Sequence, residues 1–413
     1  MVVYLIWFIL LFLITKKYKA PILNVVILFY IAASACSIYT HYIITPEAYS
    51  TFLSITFHLL VLTLFIYPVV VYGKNERFHK IIQMDEERFT TLSYVLIVLQ
   101  AFSTLYFLYY DVELFASGDL GALRNAASFG EDVSYTGKGI DRTIAGVGAY
   151  YYCINILFFF YSLAFLHKSK WFNLLLIITS SSRIFHAFSY LGRDGILLWL
   201  FSFIFSFFLF KPYLGEKAKG QVKMVFVYVG GIAIFLLGAI SLSRFGTDSS
   251  NGLMDTFNSL VDYFGQPLNN FGQLFDKFHE YSGTKTIFPW FYGGTGTTGN
   301  QAVTGAVDFY NRYGFFSNIF FSFVGNFYKA WGPWLTLSIA IVYSIIMSRC
   351  LSHKNITMVS MLILMFCVQI IWHNYFYFLY NNRVGNLYMV TLPLLMWYCS
   401  SKKSSKKKNK MII

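Results

Sequence analysis

The chain has 413 residues, is 57% hydrophobic and 12% charged, and carries a formal net charge of +13. Soluble domains hold about 25% charged residues, so a soluble globule is excluded, and the unbroken apolar runs exclude the alternating strands of a transmembrane barrel. What remains is an all-α polytopic membrane protein whose positive charge faces a membrane surface and not nucleic acid.

About 20 apolar residues cross a bilayer core. The apolar runs predict eleven transmembrane helices, over 2–15, 21–43, 51–73, 90–110, 144–166, 171–190, 194–211, 224–242, 332–348, 355–373 and 386–400. The first run lacks a basic leader and a small-residue cleavage site, so it is read as a span, not a signal peptide. Basic clusters follow alternate spans: Lys16, Lys17 and Lys19; Lys74, Arg77, Lys80 and Arg88; Lys168 and Lys170; Lys211 to Lys223; Arg349 and Lys354; Lys402 to Lys410. Placing them inside puts the N-terminus outside and the C-terminus in the cytoplasm. The inner side then holds 21 basic and 5 acidic residues against 11 and 14 outside, and one missed span would destroy this order.

Residues 1–400 are expected to form one transmembrane helical domain with two long outer (periplasmic) segments, 111–143 and 243–331. Residues 401–413 form a low-complexity basic cytoplasmic tail held near anionic lipid. The second outer segment is dense in Gly, Asn, Tyr and Phe, which suits a folded, irregular cap over a cavity. Its apolar stretch Phe315 to Val324 is too short to span and is read, within 315–328, as a re-entrant or interfacial helix. Cys36, Cys153, Cys350, Cys367 and Cys399 lie within or at the inner ends of apolar runs, so no disulfide framework or metal motif follows.

Seven of the ten arginines fall outside: Arg124, Arg142, Arg183, Arg193, Arg244, Arg312 and Arg383. Topology control asks for positive charge inside, so these call for another explanation. A planar guanidinium grips phosphate through two hydrogen bonds at once, which lysine cannot do. Arg183 lies about 18 Å into a span, with His186 and Tyr190 on its helical face at i+3 and i+7. A buried arginine needs a partner or a wet cavity, and a structural pair with an acid on another helix explains it as well as phosphate does. Arg193, in Gly192-Arg193-Asp194, sits at an outer turn where Asp194 can orient it or cap the next helix. Arg244, Arg312 and Arg383 complete a set at similar height, each also able to serve as an interface anchor.

For proton transfer the outer candidates are His373, Asp308, Asp262 and His279. His373 beside Asn374 can act as a general base, or be a satisfied core histidine. Asp308 stands four residues before Arg312, the spacing of a helical ion pair. The outer aromatics Tyr263, Phe264, Trp290, Phe291 and Tyr292 suit sugar stacking as well as an interfacial belt. No Asp-x-Asp motif, Walker loop, nucleophile elbow or zinc signature is present, so no metal and no cofactor is expected.

The chain resembles the O-antigen polymerase (Wzy-type) family of bacterial repeat-unit polymerases. The likeness lies in the span number, the large outer segment in the second half, LGRDGILLWLFSF opening a span, FNSLVDYFGQPLNNFG after Ser243, and AVDFYNRYGFF leading into an apolar stretch. It implies a metal-independent, inverting membrane glycosyltransferase that moves a growing glycan from its polyprenyl diphosphate onto the next lipid-linked repeat unit. The implied partners are undecaprenyl-diphosphate-linked donor and acceptor, membrane lipids and a chain-length regulator protein. The family's outer-loop arginines map onto Arg193, Arg244 and Arg312. Related ligases use a His-Asn pair before the late apolar segment, whereas His373-Asn374 follows it. A lipid-linked oligosaccharide flippase, an O-antigen ligase and a metal-dependent glycosyltransferase are the rival functions.

Overall fold

A computed structural model describes residues 1–44, 50–75, 80–116, 139–190, 192, 194–227, 231, 252–292, 308–315 and 320–400. The chain is helical almost throughout these segments, with one two-residue strand pair. Five helices are long and apolar enough to cross a membrane: Pro21–Ile44, Phe52–Asn75, Glu86–Leu114, Asp194–Tyr213 and Ser322–Leu351. A sixth forms if Ile140–Tyr150 and Tyr152–Leu166, bent by 40° at Tyr151, count as one.

Eleven full-length spans are therefore not all found among the described residues. Helices do stand at the other predicted positions that are described, but they are short. Val2–Thr15 has 14 residues and Arg383–Cys399 has 17, below the about 20 that a straight crossing needs. The predicted span 171–190 is two pieces, Lys170–Thr179 and Ser182–Phe188. The serines explain the break. Ser180 Oγ bonds back to the Ile177 carbonyl and Ser181 Oγ to that of Ile178, each at 2.6 Å, which competes with the helical ladder and bends it. Most of the predicted span 224–242 lies outside the described residues.

The interior is built of aromatic side chains, among them Phe8, Tyr30, Phe65, Phe89, Phe158 and Tyr375, while Val98, Leu105, Trp171, Trp334 and Trp397 face outward as lipid allows. Lipid offers little hydrophobic drive between helices, so close approach and hydrogen bonds do the joining. The helix Gly252–Lys277 shows both devices. A Cβ at Gly265 would lie 2.5 Å from Thr40 Oγ1, and one at Gly272 would lie 1.9 Å from Ser50 Oγ. Between them Asn269 accepts from Ser37 Oγ at 2.6 Å and donates to the Ser37 carbonyl at 3.1 Å. Thr51 donates through N and Oγ1 to the Asp276 carboxylate at 3.1 and 2.7 Å. The second long outer segment was expected to be irregular. Its first described part is instead a 26-residue helix docked into the bundle.

The apolar stretch after Phe315 is described from Phe320 onward. Residues 316–319 lie outside the description, but Ser322 already opens the helix Ser322–Leu351, ten positions before the predicted start at 332. That helix is broken at Gly332, whose φ of 71° and ψ of −177° are open to glycine, followed by Pro333. Proline has no N–H for the carbonyl four residues back. That carbonyl, of Lys329, accepts from Ser282 N at 3.0 Å, and the Ala330 carbonyl accepts from Gly283 N at 2.9 Å. The turn at 282–283 thus supplies what the proline removes.

Loop contacts sort into two ends of the bundle. At one end Lys80–Ile81 pairs in parallel with Asn355–Ile356, Tyr161 Oη accepts from Met84 N at 2.8 Å, and Lys168 meets Glu86 at 2.5 Å. At the other, Thr51 meets Asp276 and Trp290 N donates to Asn386 Oδ1 at 3.2 Å.

Candidate functional site

The strongest buried polar cluster is built on the turn between the helices Ser182–Phe188 and Asp194–Phe210. Arg183 is 2% exposed. Its Nη2 donates to Asp194 Oδ2 at 2.8 Å and to Tyr190 Oη at 3.3 Å. Its Nη1 lies 2.8 Å from His186 Nδ1. Arginine only donates, so this imidazole nitrogen accepts and His186 carries its proton on Nε2. The guanidinium carbon sits 5.1 Å over the Tyr150 ring, a cation–π contact. Tyr190 Oη donates to the Asp194 carboxylate at 3.1 Å, and Tyr377 Oη donates to Asp194 Oδ2 at 3.2 Å.

Local sequence explains this placement. His186 and Tyr190, at i+3 and i+7, are the same-face neighbours that Arg183 touches. Asp194 starts its helix, where a carboxylate also meets the positive end of the helix dipole. Gly195 lets the two helices approach: a Cβ there would lie 2.6 Å from the Arg183 carbonyl oxygen. Trp199 Nε1 donates to Ser180 Oγ at 2.8 Å and closes the hairpin one turn deeper. The structure adds two residues that sequence inspection passed over, Tyr150 and Tyr377. Their signal was weak, because tyrosine near a span end usually marks the membrane interface.

His373 is buried inside the bundle. Tyr152 Oη lies 3.0 Å from its Nδ1 and Ser202 Oγ 3.4 Å from its Nε2. Asn374 is spent on the backbone, donating to the Gln369 carbonyl at 3.0 Å and accepting from Leu379 N at 2.6 Å. Those bonds hold the largely buried segment 374–380, which in turn receives Ser322 N on the Phe376 carbonyl and Phe323 N on the Asn374 carbonyl, both at 3.1 Å. The pair is thus engaged in fixing the chain.

Asp308 and Arg312 are exposed on a short helix at 308–313. The expected i,i+4 pair between them is not formed. Arg312 reaches Glu280 at 3.7 Å instead, both side chains being mostly solvated, a pair of little energetic weight. Beside it Lys329 Nζ lies 5.2 Å over Phe309 and 5.5 Å over Phe321, and Lys277 Nζ 6.0 Å over Phe315. Asp262 is half-buried and bonded to Gln266, and burial pushes its carboxyl above the usual range. His279 is exposed. Arg383 is exposed at the start of the helix Arg383–Cys399, whose N-cap Asn382 accepts from Gly385 N at 2.8 Å. Among the described residues Arg383 has no acidic partner.

Arg183 and Arg312 are thus held by different acids, and Arg383 stands apart from both pairs. Arg193 and Arg244 lie outside the described residues, as does Arg124. Among the described residues no three His, Cys, Asp or Glu side chains lie together as a metal site requires. No family model, curated protein or solved structure matches the chain.

Proposed function

We propose that the protein is a membrane glycosyltransferase that polymerises polyprenyl-diphosphate-linked oligosaccharide repeat units at the outer face of a bacterial inner membrane. The observation that carries this is the Arg183–Asp194 cluster. A buried ion pair, three tyrosines and a histidine converge on the outer turn that bears Arg193. Ionisable groups are kept inside a membrane domain where function demands them. The excess of arginine over lysine on the same side supplies the match to a diphosphate. Eleven spans, with a periplasmic N-terminus and a cytoplasmic C-terminus, belong to this proposal. The placement of Lys80, Lys354 and Lys168 together at one end supports it.

In the mechanism, Arg193, Arg244 and Arg312 neutralise the donor diphosphate, with Arg383 at the lipid edge. Arg183 acts through Asp194 as a positioning residue for the turn. The acceptor hydroxyl attacks the anomeric carbon with inversion. The bond from that carbon to the diphosphate oxygen breaks, and the electron pair leaves on the phosphate, where fixed cations lower the barrier. Asp308, solvated beside Arg312, takes the hydroxyl proton. His373 is given a structural part, since both ring nitrogens are engaged inside the bundle.

Glycan profiling of a deletion strain tests the proposal. Loss of the polymer ladder with one repeat unit retained is expected. Loss of all surface glycan would indicate a flippase, and unligated polymer accumulating on lipid would indicate a ligase.

A further inference from the structure

We infer that a groove beside the first turns of the helix Arg383–Cys399 holds the isoprenoid chain of a lipid diphosphate, with Arg383 gripping the phosphate at its head. This rests on the proposed function and assigns its lipid substrate a place.

The groove is about 390 Å³ and is lined by Thr284, Phe288, Phe291 and Tyr292 on one wall and by Asn386, Met389 and Val390 on the other. Its lining is apolar apart from Thr284, Asn386 and the Tyr292 hydroxyl, which suits a hydrocarbon guest. Two turns of 3₁₀ helix, Thr284–Thr286 and Pro289–Tyr292, form the first wall. Asn386 fixes that wall in place. Its Oδ1 accepts from Trp290 N at 3.2 Å, and its Nδ2 donates to the Ile287 carbonyl at 3.1 Å and the Tyr380 carbonyl at 2.6 Å. A fully buried amide with three such bonds is costly to leave unpaired, so the wall is rigid.

Helical geometry sets the second wall. Arg383, Asn386, Val390, Leu394 and Trp397 fall within about 80° of one another at 100° per residue. Arg383, Val390, Leu394 and Trp397 are exposed. A stripe therefore runs about 21 Å down the helix from a cation at its head to apolar side chains below. A phosphate with a long hydrocarbon tail matches that order of charge and apolar surface.

The test uses the full chain in phosphatidylcholine nanodiscs with undecaprenyl diphosphate as probe. Benzoylphenylalanine is placed at Val390 in the groove, and at Trp171, which is 76% exposed on a different helix. The expected result is a lipid adduct at 390 and none at 171, undiminished by excess phosphatidylglycerol. Arg383→Ala should lower it about tenfold, the loss of one charge-assisted contact. Equal labelling at both positions, displacement by phosphatidylglycerol, or full labelling in Arg383→Ala overturns the assignment. Native mass spectrometry of the unlabelled protein separates the two levels. Retained undecaprenyl diphosphate without an adduct at 390 removes the groove alone, whereas no retained lipid removes the functional proposal as well.

Discussion

Arg183 and Asp194 lie on consecutive helices and meet at 2.8 Å with side chains 2% and 12% exposed. Each satisfies what the other would otherwise leave charged and unpaired in an apolar bundle. Tyr190 and Tyr377 share the carboxylate, and His186 and Tyr150 share the guanidinium. The turn between them is pinned from both sides.

Removing one member leaves an uncompensated buried charge, which costs about 3–5 kcal/mol. Asp194→Ala or Arg183→Ala should lower stability by that order in detergent unfolding. The double replacement Arg183→Met with Asp194→Leu should recover most of it. Additive losses in the double variant would show that the pair is not the unit of stability.

Arg193→Lys, Arg244→Lys and Arg312→Lys keep the charge and lose the bidentate fork. Each should abolish polymer while single repeat units still appear on gels of surface glycan. Normal chain lengths in all three would remove them from diphosphate binding.

Asp308 and His373 should separate in their effects. Asp308→Asn should cut turnover by about 10²- to 10⁴-fold with expression unchanged, as expected of a lost general base. His373→Ala breaks its contacts with Tyr152 and Ser202 and should cost about 1–3 kcal/mol of stability. Activity per folded molecule should survive it. A dead but fully stable His373→Ala protein would reverse the assignment.

Gly332 holds φ 71° against the Tyr281 ring, 2.7 Å from where a Cβ would stand. Gly332→Ala should destabilise by about 1–3 kcal/mol through backbone strain, added to the clash. Trimming Tyr281 to Ala in the same chain should relieve the clash and leave the strain, read as a partial recovery in thermal unfolding.

Asp262 has its carboxyl raised by burial, against a smaller opposing pull from Gln266. The folded state therefore holds the proton more tightly than the unfolded one, so its influence favours the folded state at acid pH and fades as pH rises through the folded pKa. Asp262→Asn should flatten that decline. An unchanged pH profile would mean that the group stays well hydrated.

Composition alone determined a helical membrane protein, because 57% hydrophobic residues in long runs have no other stable arrangement in water or lipid. The 3.6-residue period was enough to put His186 and Tyr190 beside Arg183, since neighbours along one helix are a local property. What the sequence could not decide were the partners from distant segments. Tyr377 joining Asp194, Glu280 taking Arg312 from Asp308, and Ser282 covering the carbonyl freed by Pro333 all depend on which helices lie side by side. Hydropathy also could not tell a straight crossing from the two short helices found over 171–190, because apolar residues fill a buried half-helix as readily as a lipid-facing one. Only tertiary packing distinguishes the two, by supplying the hydrogen bonds that lipid cannot.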